Sequence, residues 1–200
     1  MIIVDVETTG LNPKENSIVS IGAVDLSDPK RQFYIENRIW NGAEIYLGNG
    51  LLGYQPALSI NGFSLEEIND GKKPALDEAM MKFINWAKEC KEKVIGGNNP
   101  YFDIDFLKAS AEMYNLQWPF GDNAVDLKSL TYMHQIQRGL NPGELKGKDC
   151  LIYVGLKPES IPHNALTGAK LKAEAISRIL YGKNLLEEFR QYKIPEYLQK

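Results

Sequence analysis

Two carboxylates set two residues apart, Asp5 and Glu7, interrupt an otherwise apolar run of Ile2, Ile3, Val4 and Val6. Branched side chains of this kind favour a strand, and successive strand side chains point to opposite faces, so both acids emerge on the same one. Neighbouring carboxylates in an apolar setting repel each other and resist ionisation unless a cation joins them. Hard divalent ions bound through oxygen are the natural partner. Thr8, Thr9 and Gly10 follow at once, bringing hydroxyls and a flexible backbone to the strand's end, where open α/β sheets bind ligands. A third acid, Asp103, lies in N-N-P-Y-F-D-I-D-F-L where a loop passes into a helix anchored by Phe102, Phe106 and Leu107. An acid at that point serves either as a helix cap or as part of a site, whereas Asp105 reads as solvent-facing. His163 opens H-N-A-L-T-G-A and is one of two histidines. The other, His134, falls in a helix that matches no motif.

These residues need a scaffold, and the pattern predicts one. Ser17–Leu26 reads as a second strand, and alternating Phe33 and Ile35, with an apolar end at Ile39 and Trp40, as a third. Residues 40–54 read as a loop. Short helical pieces follow, broken at Asn61-Gly62, with Ser64 and Glu67 spaced as a capping box. After Pro74, the residues Leu76, Ala79, Met80, Phe83, Ile84 and Ala87 recur at the spacing of one helix face. Val94-Ile95 and Ala124–Asp126 read as short strands, the second leading into a helix over Leu127–Gln137 that Asp126 begins. Asp149–Leu156 and a stretch opening at Pro162-His163 complete the helices, with a further turn or two over Leu185–Phe189. Strands first, then helices alternating with short strands, fit an α/β fold with a mixed sheet flanked by helices.

At 200 residues the chain is expected to form a single domain with a helical extension over about 183–200. No apolar run reaches membrane-spanning length and Met1 leads directly into the first strand, so neither a membrane partner nor a leader is expected. Cys90 and Cys150 lack metal-ligand spacing and read as reduced thiols in a cytoplasm. A formal net charge of −3 argues against coating long nucleic acid through a broad basic surface. It leaves open an enzyme that grips one end of a strand.

Taken together, D-V-E-T-T-G-L, N-N-P-Y-F-D-I-D-F-L and H-N-A-L-T-G-A resemble, in order and separation, the motifs of the DEDDh family of 3′-to-5′ exonucleases. The likeness runs from Ile2 to about Leu180. It implies a ribonuclease-H-like fold and hydrolysis of a terminal phosphodiester on the 3′ end of single-stranded DNA or RNA, with release of nucleoside monophosphates. It also implies two Mg²⁺ or Mn²⁺ ions as cofactors. By resemblance Asp5, Glu7 and Asp103 bind the metals, and His163 takes a proton from the attacking water. The backbone around Thr8, Thr9 and Gly10 and the side chain of Leu11 would meet the terminal nucleotide. Phe102 and the Asn61-Gly62-Phe63 turn are candidates to stack on bases. The chain departs from the pattern once: where an aspartate is expected five residues after the histidine, it has Gly168. That change implies weakened catalysis, and restoring aspartate is expected to rebuild the cage. Glu174 is not at the matching place. Two other functions share the motifs: a non-catalytic module that binds strand ends, and a small phosphodiesterase acting on short oligonucleotides. Protein partners are not legible.

Overall fold

The computed structural model describes residues 1–48 and 56–199. Its centre is a five-stranded sheet in the order β3-β2-β1-β4-β5. The strands are β1 (Ile2–Thr8), β2 (Ile18–Asp25), β3 (Gln32–Glu36), β4 (Ile95–Gly97) and β5 (Ala124–Asp126). The meander of β1, β2 and β3 is antiparallel, whereas β4 and β5 run parallel to β1, which gives the expected mixed sheet. The first strand stops at Thr8, after a register irregularity between Glu7 and Thr8. The third ends at Glu36: the amides of Arg38 and Ile39 bond instead to Pro74 and Ile68 carbonyls.

Alternation along β1 divides the molecule. Ile2, Val4 and Val6 point to a core built on α3 (Leu76–Glu89) and α4 (Pro100–Met113), with Phe83 and Phe106 among its largest members. All six apolar positions expected on the α3 face are buried. Ile3 points the other way, into a second core with α5 (Leu127–Gln137), α6 (Gly147–Tyr153) and α7 (Ala165–Tyr181). Asp5 and Glu7 share that second face and so lie under α7. The helix comes close because Gly22, directly opposite Asp5 on β2, has no side chain: a Cβ there would overlap the backbone of Ala165 and Leu166.

Short helices α1 (Ala57–Asn61) and α2 (Leu65–Ile68) flank the Gly62 break, and Ser64 and Glu67 form the predicted capping box. The helix expected over Asp149–Leu156 begins two residues earlier, at Gly147, because Asp149 caps back to the Lys146 amide. The last helix starts at Ala165, where the Asn164 side chain accepts the amides of Leu166 and Thr167. Beyond it come turns at Glu187–Phe189 and Glu196–Leu198, the first tied back by a buried ion pair whose Arg178 donates to the Phe189 carbonyl. Arg178 meets Glu174 at 2.8 Å, and Glu174 also accepts the amides of Leu185 and Leu186. Glu174 is thus committed to the fold and unavailable as a replacement acid. The part of the predicted loop over 49–54 lies outside the described residues. No described helix is long and apolar enough to cross a membrane.

Asp126, which was expected to begin a helix, has a structural role there. Its carboxylate caps α5 by accepting from Lys128, Ser129 and the Ser129 hydroxyl, and it also accepts the Asn99 amide ahead of α4. Asp126→Ala therefore costs about 1 kcal/mol, the usual loss for an N-cap. For a chain of this length that lowers the melting temperature by about 2–4 °C, readable by circular dichroism.

Candidate active site

The acids of β1 open into a cavity of about 480 Å³ between the end of the sheet, α4, α6 and α7. Asp5, Glu7, Asp103, His163 and Gly168 all line it, so the structure brings together the residues that the three motifs singled out. Asp5 and Glu7 are each 8% exposed and Asp103 2%. Asp103 reaches the cluster from the opposite face of the sheet. Strand β4 pairs with β1 only at Ile2 and Ile3, and further along the Asp103 carboxylate accepts the Val6 amide at 2.9 Å. It closes the ladder where the strand partner runs out, a different task from capping α4.

His163 sits on the segment leading into α7, its amide bonded to the Ile60 carbonyl at 2.8 Å. A fourth acid, unforeseen in the sequence, joins it. Glu159 lies 4.0 Å from the His163 ring nitrogen Nδ1, and donor atoms of Glu7, Glu159 and His163 all fall within 4.8 Å of one another. The Glu159 Oε1 atom is buried with no hydrogen-bond partner among the described residues, and it comes within 3.1 Å of where a Cβ on Gly168 would be. Lys172, one helical turn past Gly168, is the other residue missed: its ammonium ion-pairs with Asp5 inside the cluster. The i, i+4 spacing that sets both on one face of α7 was readable, but nothing in the sequence aimed that face at Asp5. Gly168 is not simply an empty place, because a side chain there would overlap the Asp5 carboxylate.

The substrate-side predictions divide. Thr8, Gly10, Leu11 and Phe102 line the cavity, and Leu11 stands 54% exposed at its edge. Thr9, Asn61 and Phe63 do not. Thr9 is fully buried, its hydroxyl donating to the Glu44 carbonyl and accepting the Ser17 amide. Asn61 donates to the Thr8 carbonyl and accepts the Phe63 amide, so it braces the strand's end from behind. Phe63 carries the Lys73 ammonium 4.7 Å from its ring. Gly10 has a packing reason as well, since a Cβ would strike the Asn16 side chain.

Burial and mutual repulsion keep protons on these acids. Glu7 is pushed up to about 9, first by burial and then by Asp5 and Glu159. Burial raises Asp103 to about 7 against the pull of Lys172, and burial with Asp5 raises Glu159 to about 7. Burial lowers His163, which keeps the ring neutral at pH 7. Burial alone would also lower Lys172, but Asp5, Asp103 and Glu159 more than reverse this and hold it protonated.

Because the folded-state values of the three acids lie above the ordinary 3.8 and 4.5, the native chain binds more protons than the unfolded one at neutral pH. The stability this gives is complete below about pH 4 and is lost as pH rises through about 7 and then 9. In EDTA, the melting temperature is expected to fall between pH 5.5 and 9. Each tenfold difference in proton affinity between the folded and unfolded chain is worth about 1.4 kcal/mol, so the fall should be at least about 2–4 °C. A flat or rising profile in calorimetry would contradict the proton-holding cluster.

No family model matches the chain. Over 182 residues it is 32% identical to the 3′-5′ DNA exonuclease Cap18 of Escherichia coli, an alignment covering 86% of this chain and 87% of that protein. The chain belongs to the DEDDh-type 3′-to-5′ exonuclease family. It is also 28% identical over 146 residues to ribonuclease T of Hahella chejuensis, across 68% of this chain and 66% of that enzyme. Among solved structures, the nuclease domain of 3′hExo, a DEDDh family member bound to rAMP, superposes with a TM-score of 0.67 at 16% identity, covering 98% of this chain and 95% of that one. The zinc-bound complex of Escherichia coli ExoI with single-stranded DNA gives 0.64 at 15% identity, over 90% of this chain and 40% of that chain. Both share the ribonuclease-H-like fold of this exonuclease.

Proposed function

We propose that this exonuclease hydrolyses the last phosphodiester at the 3′ end of a single-stranded nucleic acid, using Mg²⁺ or Mn²⁺ held by Asp5, Glu7, Asp103 and Glu159. The observation that carries the reading is the convergence of four buried or half-buried carboxylates and one neutral histidine at the floor of one cavity. The donor set fits hard divalent ions: it offers carboxylate oxygens, and the Glu159 Oε1 atom is buried and lacks a partner among the described residues. Divalent ions bound there would polarise the scissile phosphate and ease loss of a proton from water.

The chain's own residues do the rest. Neutral His163 accepts the proton of the attacking water at a ring nitrogen. The new bond forms between that oxygen and phosphorus, the bond from phosphorus to the 3′ oxygen breaks, and that oxygen leaves with a proton. The products are a nucleoside 5′-monophosphate and a strand shorter by one. Leu11 and Phe102 supply apolar surface for the terminal base; Phe102 is backed by Phe106 at 5.0 Å between ring centres. Lys128 and Lys148 line the same cavity and can meet the phosphates of preceding nucleotides. The free, buried thiols of Cys90 and Cys150 suit a reducing cytoplasm.

A strand labelled at its 5′ end should give a descending ladder in Mn²⁺, faster when single-stranded than when its 3′ end is paired. Early internal fragments would contradict an exonuclease acting from the end. Lys172 beside Asp5 favours one second reading, binding of strand ends without cleavage. Under that reading the labelled strand is retained uncut.

A further inference from the structure

We infer that the Lys172 ammonium is a resident cation of the carboxylate cluster, so that the chain takes up one divalent ion fewer than its four acids would hold without it. The inference rests on the metal-dependent reading above and concerns how that site is filled. Lys172 reaches the cluster from α7 and pairs with Asp5, its side chain only 14% exposed. The same ammonium interacts electrostatically with Asp103 and Glu159, so it serves more than one acid.

Gly168 makes this placement possible. It lies one turn before Lys172 on the same face of α7, and a side chain there would overlap the Asp5 carboxylate. With no side chain at 168, Asp5 leans under the helix and meets the lysine. The cluster thus lacks a carboxylate at 168 and contains the Lys172 ammonium. Both move the charge of the cluster in the same direction.

Charge balance sets the consequence. Two divalent ions neutralise four ionised carboxylates. With the ammonium in place, one divalent ion leaves a single negative charge, whereas a second would leave a net positive charge in a buried site. Such an excess is costly in a low-dielectric interior.

The test is the number of Mn²⁺ ions bound by the full chain, measured by titration calorimetry and by loss of the free-ion electron paramagnetic resonance signal. Lys172→Met keeps most of the side chain's length and removes its charge. Lys170→Met is the control, since Lys170 pairs with Glu188 outside the cluster. Wild type and Lys170→Met should bind one ion and Lys172→Met two, with a larger rise in melting temperature on adding Mn²⁺. If Lys172→Met does not fold, Lys172→Gln purified in Mn²⁺ replaces it. Two ions in the wild type, or equal numbers with and without the lysine, overturn the inference; a 3′-end ladder from the same samples would leave the exonuclease reading intact. Absence of bound Mn²⁺ in every variant overturns the inference and the metal-dependent reading together.

Discussion

Replacing His163 by alanine is expected to lower turnover at saturating Mn²⁺ by about 10²–10⁴-fold, the usual contribution of a positioned general base. Mn²⁺ affinity should stay close to that of the wild type. The histidine is half-buried against an acidic cluster, a setting that ordinarily holds a proton on imidazole. Here burial outweighs the pull of Asp5, and Lys172 opposes protonation as well, so the ring titrates below its ordinary 6.5. The free base is therefore the main form at neutral pH, and the acid limb of the pH–rate profile should lie below 6.5 in the wild type. That limb should vanish in His163→Ala. The competing role is metal ligation, since His163 shares a 4.8 Å cluster with Glu7 and Glu159. The two roles separate on one measurement. A ligand lost would weaken Mn²⁺ binding along with turnover, whereas a base lost would lower turnover alone. Parallel loss of both would show that His163 binds metal and would remove it as the proton acceptor.

The sequence revealed whatever rests on local period and spacing. Alternation along Ile2–Thr8 set Asp5 and Glu7 on one face, and the three-and-four spacing of α3 marked its buried side. Asp126 was legible as a cap because its donors are the next turn's own amides. What could not be read was which surfaces meet. Glu159 stands in an irregular segment whose path into the cluster leaves no periodic trace. Lys172 looks like any charge on an amphipathic helix, and only the close seat of α7 on Gly22 turns it toward Asp5. The side chains of Thr9 and Asn61 were unreadable for the same reason: their polar groups are taken up by backbone partners distant in the chain, Glu44 and Thr8.

Gly168 shows the difference most clearly. Sequence alone makes Gly168→Asp a one-step restoration of a missing ligand. In the structure, a Cβ at 168 would collide with the Asp5 carboxylate, which is itself held by Lys172. The single substitution must therefore rotate Asp5 away, break a buried ion pair and add a fifth acid near Glu159. The new carboxylate, one turn before Lys172, can take over its ammonium, which leaves Asp5 as a buried charge without its partner, a loss that commonly costs about 3–5 kcal/mol. Gly168→Asp alone is expected to melt lower in EDTA and to show no gain in turnover. Combined with Lys172→Gln, the result should reverse. Asp5 is then free to turn, and the new carboxylate joins Asp5 and Glu7 around an ion and fixes it against the scissile phosphate. Turnover of the double variant at saturating Mn²⁺ should exceed that of the wild type by about 10²-fold, comparable to gaining one charged stabiliser of the transition state. Mn²⁺ binding should tighten in the same protein. Lys172→Gln alone serves as the reference, since it frees Asp5 without supplying the ligand. A full gain from Gly168→Asp alone would show that Asp5 yields at little cost and that Lys172 is no obstacle. Equal turnover in Lys172→Gln and the double variant would show that Glu159 already fills the place of the missing aspartate.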